Sequence, residues 1–350
     1  MSAQEVYDVT IIGAGPAGLY SAFYAGLREM KTKIIEYQPF LGGKVNVYPE
    51  KMIWDVGGLT PVTGEQLIKQ LIQQGTTFDP TIVLNEKVVS IDQEDECFVL
   101  HTHSAQMHYS KTVIIAIGSG ILKPMKLQVE GAEKFELTNL HYTVKSYARF
   151  YNKTVLISGG GNSALDWASE LSDVAKKVYI TYRKDSLKGH EATITKVQNN
   201  GVVCLLNTEI ERLIASDDHS AIERVVLRHH ENNDVTELEV DEVIVCHGYE
   251  SEKELIHNSK VRIRMKDEYC IDGTPLSETS VPGIFAAGDI LKHDGKLFLI
   301  AGAFQDAANA VNRAKQFITP DAASYGMVSS HNDLFKEKNK ELKKKLIHTF

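Results

Sequence analysis

Val9-Thr10-Ile11-Ile12-Gly13-Ala14-Gly15-Pro16-Ala17-Gly18 is an apolar run that breaks into a glycine turn, and a helical Leu19 to Leu27 follows it. The strand Lys33-Ile34-Ile35-Glu36 then completes a strand–turn–helix–strand unit that ends in an acid. That order, over about thirty residues, is the dinucleotide-binding βαβ unit. Gly13 permits the tight turn, Gly15 lets backbone approach a pyrophosphate, and Gly18 lets helix and strand pack closely. The helix N-terminus, with Ala17 in its first turn, presents oriented N–H groups to the anion. Glu36 can accept hydrogen bonds from both hydroxyls of an adenosine ribose, and it would repel a 2′-phosphate. FAD and NAD satisfy this half equally.

The same order recurs. Thr154-Val155-Leu156-Ile157 leads into Gly159-Gly160-Gly161-Asn162-Ser163-Ala164, with alanine third as the motif allows. At the end of the next strand, where an acid would mark NAD, stands Thr181-Tyr182-Arg183-Lys184, with Lys188 on the following loop. A guanidinium grips phosphate by two parallel N–H bonds, and nearby ammonium groups add charge. The second site therefore reads as NADP(H). Solvated basic residues beside an NAD site are the plainer alternative, but such a site would lack its acid. The choice of FAD for the first site comes from Gly288-Asp289, between the apolar Ile284 to Ala287 and a helical Ala301 to Phe317. An aspartate there can hold a ribityl hydroxyl, a group NAD lacks.

A chain of 350 residues, 43% hydrophobic and 24% charged, has room for two globular domains. Its net charge of −8 excludes nucleic acid as a bulk partner, and an acidic protein partner would need a local basic patch. No stretch approaches the roughly 18 apolar residues of a membrane span, and a first strand beginning at Tyr7 leaves no room for a signal peptide. The four cysteines, Cys97, Cys204, Cys246 and Cys270, show no short pairing, which fits a reducing cytoplasm.

Between the motifs, a loop rich in glycine and proline runs from Gln38 to Pro61, and Thr63 begins an amphipathic helix. Lys87 to Ile91, Cys97 to His101 and Gln106 to Tyr109 read as an antiparallel ribbon that hands over to the strand Thr112 to Ala116. Gly201 to Arg212 and Ala221 to Arg228 form a second ribbon before the strand Glu242 to Val245. The expected fold is α/β: two Rossmann-like three-layer βαβ domains, each with a small antiparallel β-ribbon, the NADP domain inserted into the FAD domain. The boundaries are 1–119 and 248–330 for the FAD domain, 120–247 for the NADPH domain, and 331–350 for a tail. Lys336 to Lys345 in that tail reads as a solvated, lysine-rich helical end.

Further motifs accompany the fingerprints: Phe40-Leu41-Gly42-Gly43 with Tyr48-Pro49-Glu50-Lys51, Leu137 to Tyr142, His190-Glu191, Ala287-Gly288-Asp289 and Asn309 to Lys315. Together they resemble the two-dinucleotide-binding-domain flavoproteins, and more narrowly the ferredoxin/flavodoxin–NADP⁺ reductases of the thioredoxin-reductase-like type. The resemblance implies a homodimeric reductase passing hydride from NADPH to FAD and single electrons to ferredoxin or flavodoxin. It implies a flavin stacked on Tyr48, with Gly43, Lys44, Val88 and Leu122 also at the FAD. Lys44 stands where relatives commonly have glutamine; a cation there would raise the flavin potential.

Two departures stand out. Thioredoxin reductases carry a Cys-x-x-Cys shortly before the second fingerprint, and this chain has His141-Tyr142-Thr143-Val144 instead, so intramolecular dithiol exchange is excluded. In the tail segment Met327-Val328-Ser329-Ser330-His331, two registers stay open. Either His331 covers the second flavin face, or Val328 does, with Ser329 and Ser330 supplying hydroxyls. Two other functions compete: a flavin monooxygenase or NADPH oxidase, and a non-catalytic NADPH sensor.

Overall fold

A computed structural model describes residues 5–118, 120, 123–249, 254–327 and 331–347. The chain divides into two compact units, one of Met1–Asn46, Lys51–Ile121 and Ser251–Phe350, the other of Val47–Glu50 and Leu122–Glu250.

The first unit is built on the strand Val6–Ile12, which pairs in parallel with Thr32–Ile35 on one side and Met107–Ile115 on the other. Thr81–Val83 extends the sheet beyond Thr32–Ile35, and Ile284–Ala286 joins Met107–Ile115, both in parallel. Alternation along these strands makes two buried faces. Val9, Ile11, Ile34 and Ile114 pack beneath the helices Pro16–Leu27 and Ile300–Ile318. The second helix meets them through a stripe of small residues, Ala303, Ala307, Ala310 and Ala314. Ile12, Ile35, Val113 and Ile115 face the other way, onto Val88, Ile91, Phe98 and Leu100 of the ribbon. The amphipathic helix Gly64–Gly75 starts on a capping box: Thr63 Oγ1 accepts from Gln66 N–H (3.2 Å), and Gln66 Oε1 accepts from Thr63 N–H (3.1 Å).

The ribbon is Val88–Glu94, Cys97–Thr102 and the start of Met107–Ile115. Its third strand and the apolar strand expected at Thr112 to Ala116 are one continuous strand, antiparallel to the ribbon at its start and parallel to Val6–Ile12 along most of its length.

The second unit has a five-stranded parallel sheet in the order Val203–Leu206, Lys177–Tyr182, Thr154–Ser158, Glu242–Val245, Leu140–His141. Its ribbon differs from expectation. Val203–Leu206 pairs in parallel with Lys177–Tyr182, so the antiparallel ribbon begins only at Thr208–Ala215 and continues through Ile222–His229 and Val235–Glu239. The positive-φ Asn207 separates the two strands. Among the described residues no helix is long and apolar enough to cross a membrane.

Candidate functional site

The first site forms at the carboxyl ends of Val6–Ile12, Thr32–Ile35 and Ile284–Ala286, where sequence order reverses across the sheet. Such a switch point is where open α/β sheets bind ligands. Gly13 follows the first strand, and the helix starts at Pro16 with Gly15 as N-cap and no side-chain cap, leaving its first N–H groups for a ligand. A Cβ on Gly18 would collide with the Gly13 carbonyl, so the turn and helix close only around glycine. The Phe40 to Gly43 segment lies against this turn. Gly42 N–H donates to Ala14 C=O (2.8 Å), and a Cβ on Gly43 would come within 2.7 Å of Gly15 Cα. Lys44, next in the chain, is exposed.

Glu36 is buried and knits the turn together. Its Oε2 accepts from Ala14 N–H (2.7 Å) and its Oε1 from Gln38 N–H (2.8 Å). Burial raises its carboxyl above the ordinary value, against the pull of the Gln38 and Ala14 N–H groups. A carboxylate has about four acceptor positions, which leaves Glu36 capacity for a ribose hydroxyl. Glu86 N–H donates to Glu36 C=O (3.1 Å), which brings the start of the ribbon, with buried Val88, to the acid.

Gly288 packs on the same helix start: a Cβ there would lie 3.0 Å from Ala17 Cβ. Gly288 N–H donates to Asp306 Oδ2 (3.0 Å), Lys296 Nζ donates to Gly288 C=O (2.8 Å), and Lys296 also pairs with Asp306. His293 Nε2 lies 3.3 Å from Asp306 Oδ1. Asp289 is left exposed beside this buried group. The sequence reading missed Lys296, Asp306 and His293. One signal was there: Asp306 interrupts the alanine stripe of its helix at a buried position.

The second site repeats the arrangement in its own unit. Gly159 follows Thr154–Ser158, and the helix Asn162–Leu171 begins at N-cap Gly161 without a side-chain cap. Ser163 and Ala164 lie in its first turn. Asn162 Oδ1 accepts from His190 N–H (3.2 Å), and Lys188 N–H donates to Gly160 C=O (2.7 Å). These bonds hold the loop after Lys177–Tyr182 against the glycine turn. Arg183, Lys184 and Lys188 are all exposed on that loop, at one end of the sheet. His247, also absent from the sequence reading, follows Glu242–Val245, and its Nε2 lies 2.8 Å from Ser158 Oγ. Burial and the Arg183 charge push its imidazole below the ordinary value. The neighbouring Cys246 thiol is pushed up to about 12 by burial, so it is inert as a nucleophile.

Tyr48 lies in the second unit, half-buried against the core of Val144, Phe150 and Trp167. In that unit Glu50 Oε2 accepts from Tyr147 N–H (2.6 Å). Lys44 and Tyr48, four positions apart, thus fall in different units. His331 is exposed, while Val328, Ser329, Ser330 and Leu122 lie outside the described residues. The tail's Phe335 packs at a tilt against Phe23 and Phe78, with ring centroids 6.4 and 5.4 Å away. All four cysteines are unpaired, and among the described residues no cluster of His, Cys, Asp or Glu could hold a metal ion.

A model of the pyridine nucleotide-disulphide oxidoreductase family matches residues 7–314. The chain is 64% identical to ferredoxin–NADP reductase 1 of Bacillus cytotoxicus over 348 residues, 99% of this chain and 100% of that protein. It is 60% identical to ferredoxin–NADP reductase 1 of Lysinibacillus sphaericus, covering 98% of each. Among solved structures, thioredoxin reductase of Lactococcus lactis matches with a TM-score of 0.72 at 26% identity, covering 90% of this chain and 99% of that one.

Proposed function

The chain belongs to the pyridine nucleotide-disulphide oxidoreductase family, beside the ferredoxin–NADP reductases, and on that premise we propose that it moves electrons from NADPH through FAD to a small acidic carrier. The carrier is a ferredoxin or a flavodoxin. The observation that carries this reading is the contrast between two equivalent strand ends: buried Glu36 at one, exposed Arg183 and Lys184 at the other. A carboxylate rejects a 2′-phosphate, and a guanidinium with ammonium neighbours selects it.

Both sites suit their groups. The uncapped helix starts at Gly15 and Gly161 offer free N–H groups to a pyrophosphate. Glu36 would hold the adenosine ribose of FAD, and Asp289, with Lys44 on the loop against the turn, would serve the rest of the cofactor. Arg183, Lys184 and Lys188 would hold the 2′-phosphate of NADPH. Bound FAD supplies an acceptor for hydride and a donor of single electrons. The protein's groups orient and tune; hydride transfer asks no general base of them. The absence of a Cys-x-x-Cys motif supports direct delivery to a one-electron carrier rather than to a disulfide. The reading includes a homodimer and a cytoplasmic setting, the latter supported by four unpaired thiols.

The test is NADPH-dependent reduction of purified ferredoxin and flavodoxin, compared with an arbitrary dye. We expect a carrier to be reduced faster than the dye. Equal rates would overturn the carrier assignment; rapid oxygen consumption with NADPH alone would point to an oxidase, and slow flavin reduction to a sensor.

A further inference from the structure

We propose that the buried ion pair Lys296–Asp306 is a positioning device for FAD: it grips Gly288 by both its N–H and its C=O and so fixes how Asp289 is presented to the cofactor. The inference rests on the reading of Gly288-Asp289 as a flavin contact.

Gly288 sits just beyond the strand Ile284–Ala286, with φ of +80°, where the chain leaves the sheet. Its N–H donates to Asp306 Oδ2 (3.0 Å) and its C=O accepts from Lys296 Nζ (2.8 Å), while lysine and aspartate pair with each other. One ion pair therefore clasps both peptide planes flanking a residue that has no side chain to anchor it. Asp306 is held in turn: His293 Nε2 stands 3.3 Å from its second oxygen, and Ser277 Oγ donates to its backbone C=O (2.9 Å). The side chains of Lys296 and Asp306 are only 3% and 5% exposed.

Closing the turn at the Gly288 carbonyl does not require Lys296, whereas the Gly288 N–H has Asp306 as its acceptor. The Gly288 carbonyl already accepts from Leu291 N–H (3.0 Å), which closes the turn without Lys296. Nor is a buried ion pair a source of stability, because the loss of hydration for two charges offsets their attraction, and apolar residues of similar size serve a core as well. What the pair adds is direction. The peptide of Gly288 cannot rotate without leaving one buried charge short of a partner. Asp289, exposed and next in the chain, is thereby presented from a fixed Gly288, which itself packs on Ala17 at the helix start. Lys296 and Asp306 are positioning residues; they act through Gly288.

The test uses purified protein stripped of flavin and reconstituted with FAD, measuring the FAD dissociation constant, the visible flavin spectrum and the melting of the apoprotein. Lys296→Met strands Asp306 in the core, so the deciding variant is the double Lys296→Met/Asp306→Leu, which removes both charges and replaces them with apolar side chains. We expect the double variant to stay folded, melting somewhat below the wild type because the buried Gly288 N–H loses its acceptor, and to bind FAD about tenfold more weakly or worse, the scale of losing hydrogen bonds to charged groups. A changed flavin spectrum should accompany the loss. Lys296→Arg, which still offers donors to Asp306 and the Gly288 carbonyl, should recover most of the affinity. Wild-type affinity and spectrum in the folded double variant overturn the proposal. Asp289→Ala separates the two layers: a loss there with none in the double variant removes the clamp and keeps the flavin contact, and no loss in Asp289→Ala removes the contact itself.

Discussion

Arg183 and Lys44 are single side chains whose chemistry can be read in isolation, and both are exposed. Replacing Arg183 with Gln removes a bidentate phosphate donor while Lys184 and Lys188 stay. The KM for NADPH should rise by about tenfold or more and that for NADH should stay nearly constant, a comparison steady-state kinetics makes directly. Lys44→Gln should lower the flavin midpoint potential, because a cation near the reduced ring stabilises it; a potentiometric titration showing no downward change would sink that role. At this scale the sequence was informative where the determinant sits in a motif. Glu36 and Arg183 each follow the second strand of a local βαβ unit, and the structure places both at those strand ends, one buried and one exposed. Lys296 and Asp306 escaped because their meaning depends on a contact with Gly288, made only once helix Ile300–Ile318 is laid against the sheet. Burial of a lysine is invisible in a residue string.

The strand–turn–helix elements were legible because each is closed by local rules: glycine at the turn, proline in the first turn, Thr63 and Gln66 capping the amphipathic helix. Gly18→Ala probes this level. Its Cβ would meet the Gly13 carbonyl, so either the helix shifts or the turn opens, at a cost of about 1–3 kcal/mol. The expected outcome is a lowered melting temperature together with weakened FAD retention. The ribbons were less legible. Val203–Leu206 alternates little and could join either an antiparallel or a parallel neighbour; its partner, Lys177–Tyr182, was settled by the sheet rather than by propensity. Met107–Ile115 carries polar residues through its first half and apolar ones through its second, because one strand crosses from ribbon to core. A change of composition inside a single strand looks like a boundary.

For the molecule as a whole, the pH dependence of stability follows from a pair on two strands of the first unit, Thr32–Ile35 and Met107–Ile115. Lys33 Nζ lies 3.2 Å from His108 Nδ1, both residues are buried, and His108 Nε2 has no hydrogen-bond partner. Burial and the Lys33 charge hold His108 below its ordinary value, against an opposite pull from Glu86. The folded protein therefore refuses a proton that the unfolded chain accepts near pH 6.5, so stability is present above that pH and declines as pH falls through and below it. Melting temperatures between pH 7.5 and 5.5 should drop in the wild type and drop less in His108→Gln. A carrier attracted electrostatically to a chain of net charge −8 must find a local basic patch, so its reduction should slow with added salt while reduction of a neutral dye does not. Connectivity has a consequence for engineering. The second unit owns Val47–Glu50 as well as Leu122–Glu250, and those four residues supply Tyr48 to its core and the Glu50 carboxylate to Tyr147 N–H. A gene fragment starting at the later boundary would make a module with a notch in its core and a backbone donor deprived of its acceptor. A chimera meant to exchange cofactor preference must graft two separate pieces of chain, and the smaller one is a tetrapeptide that a domain map drawn as one continuous insert leaves behind.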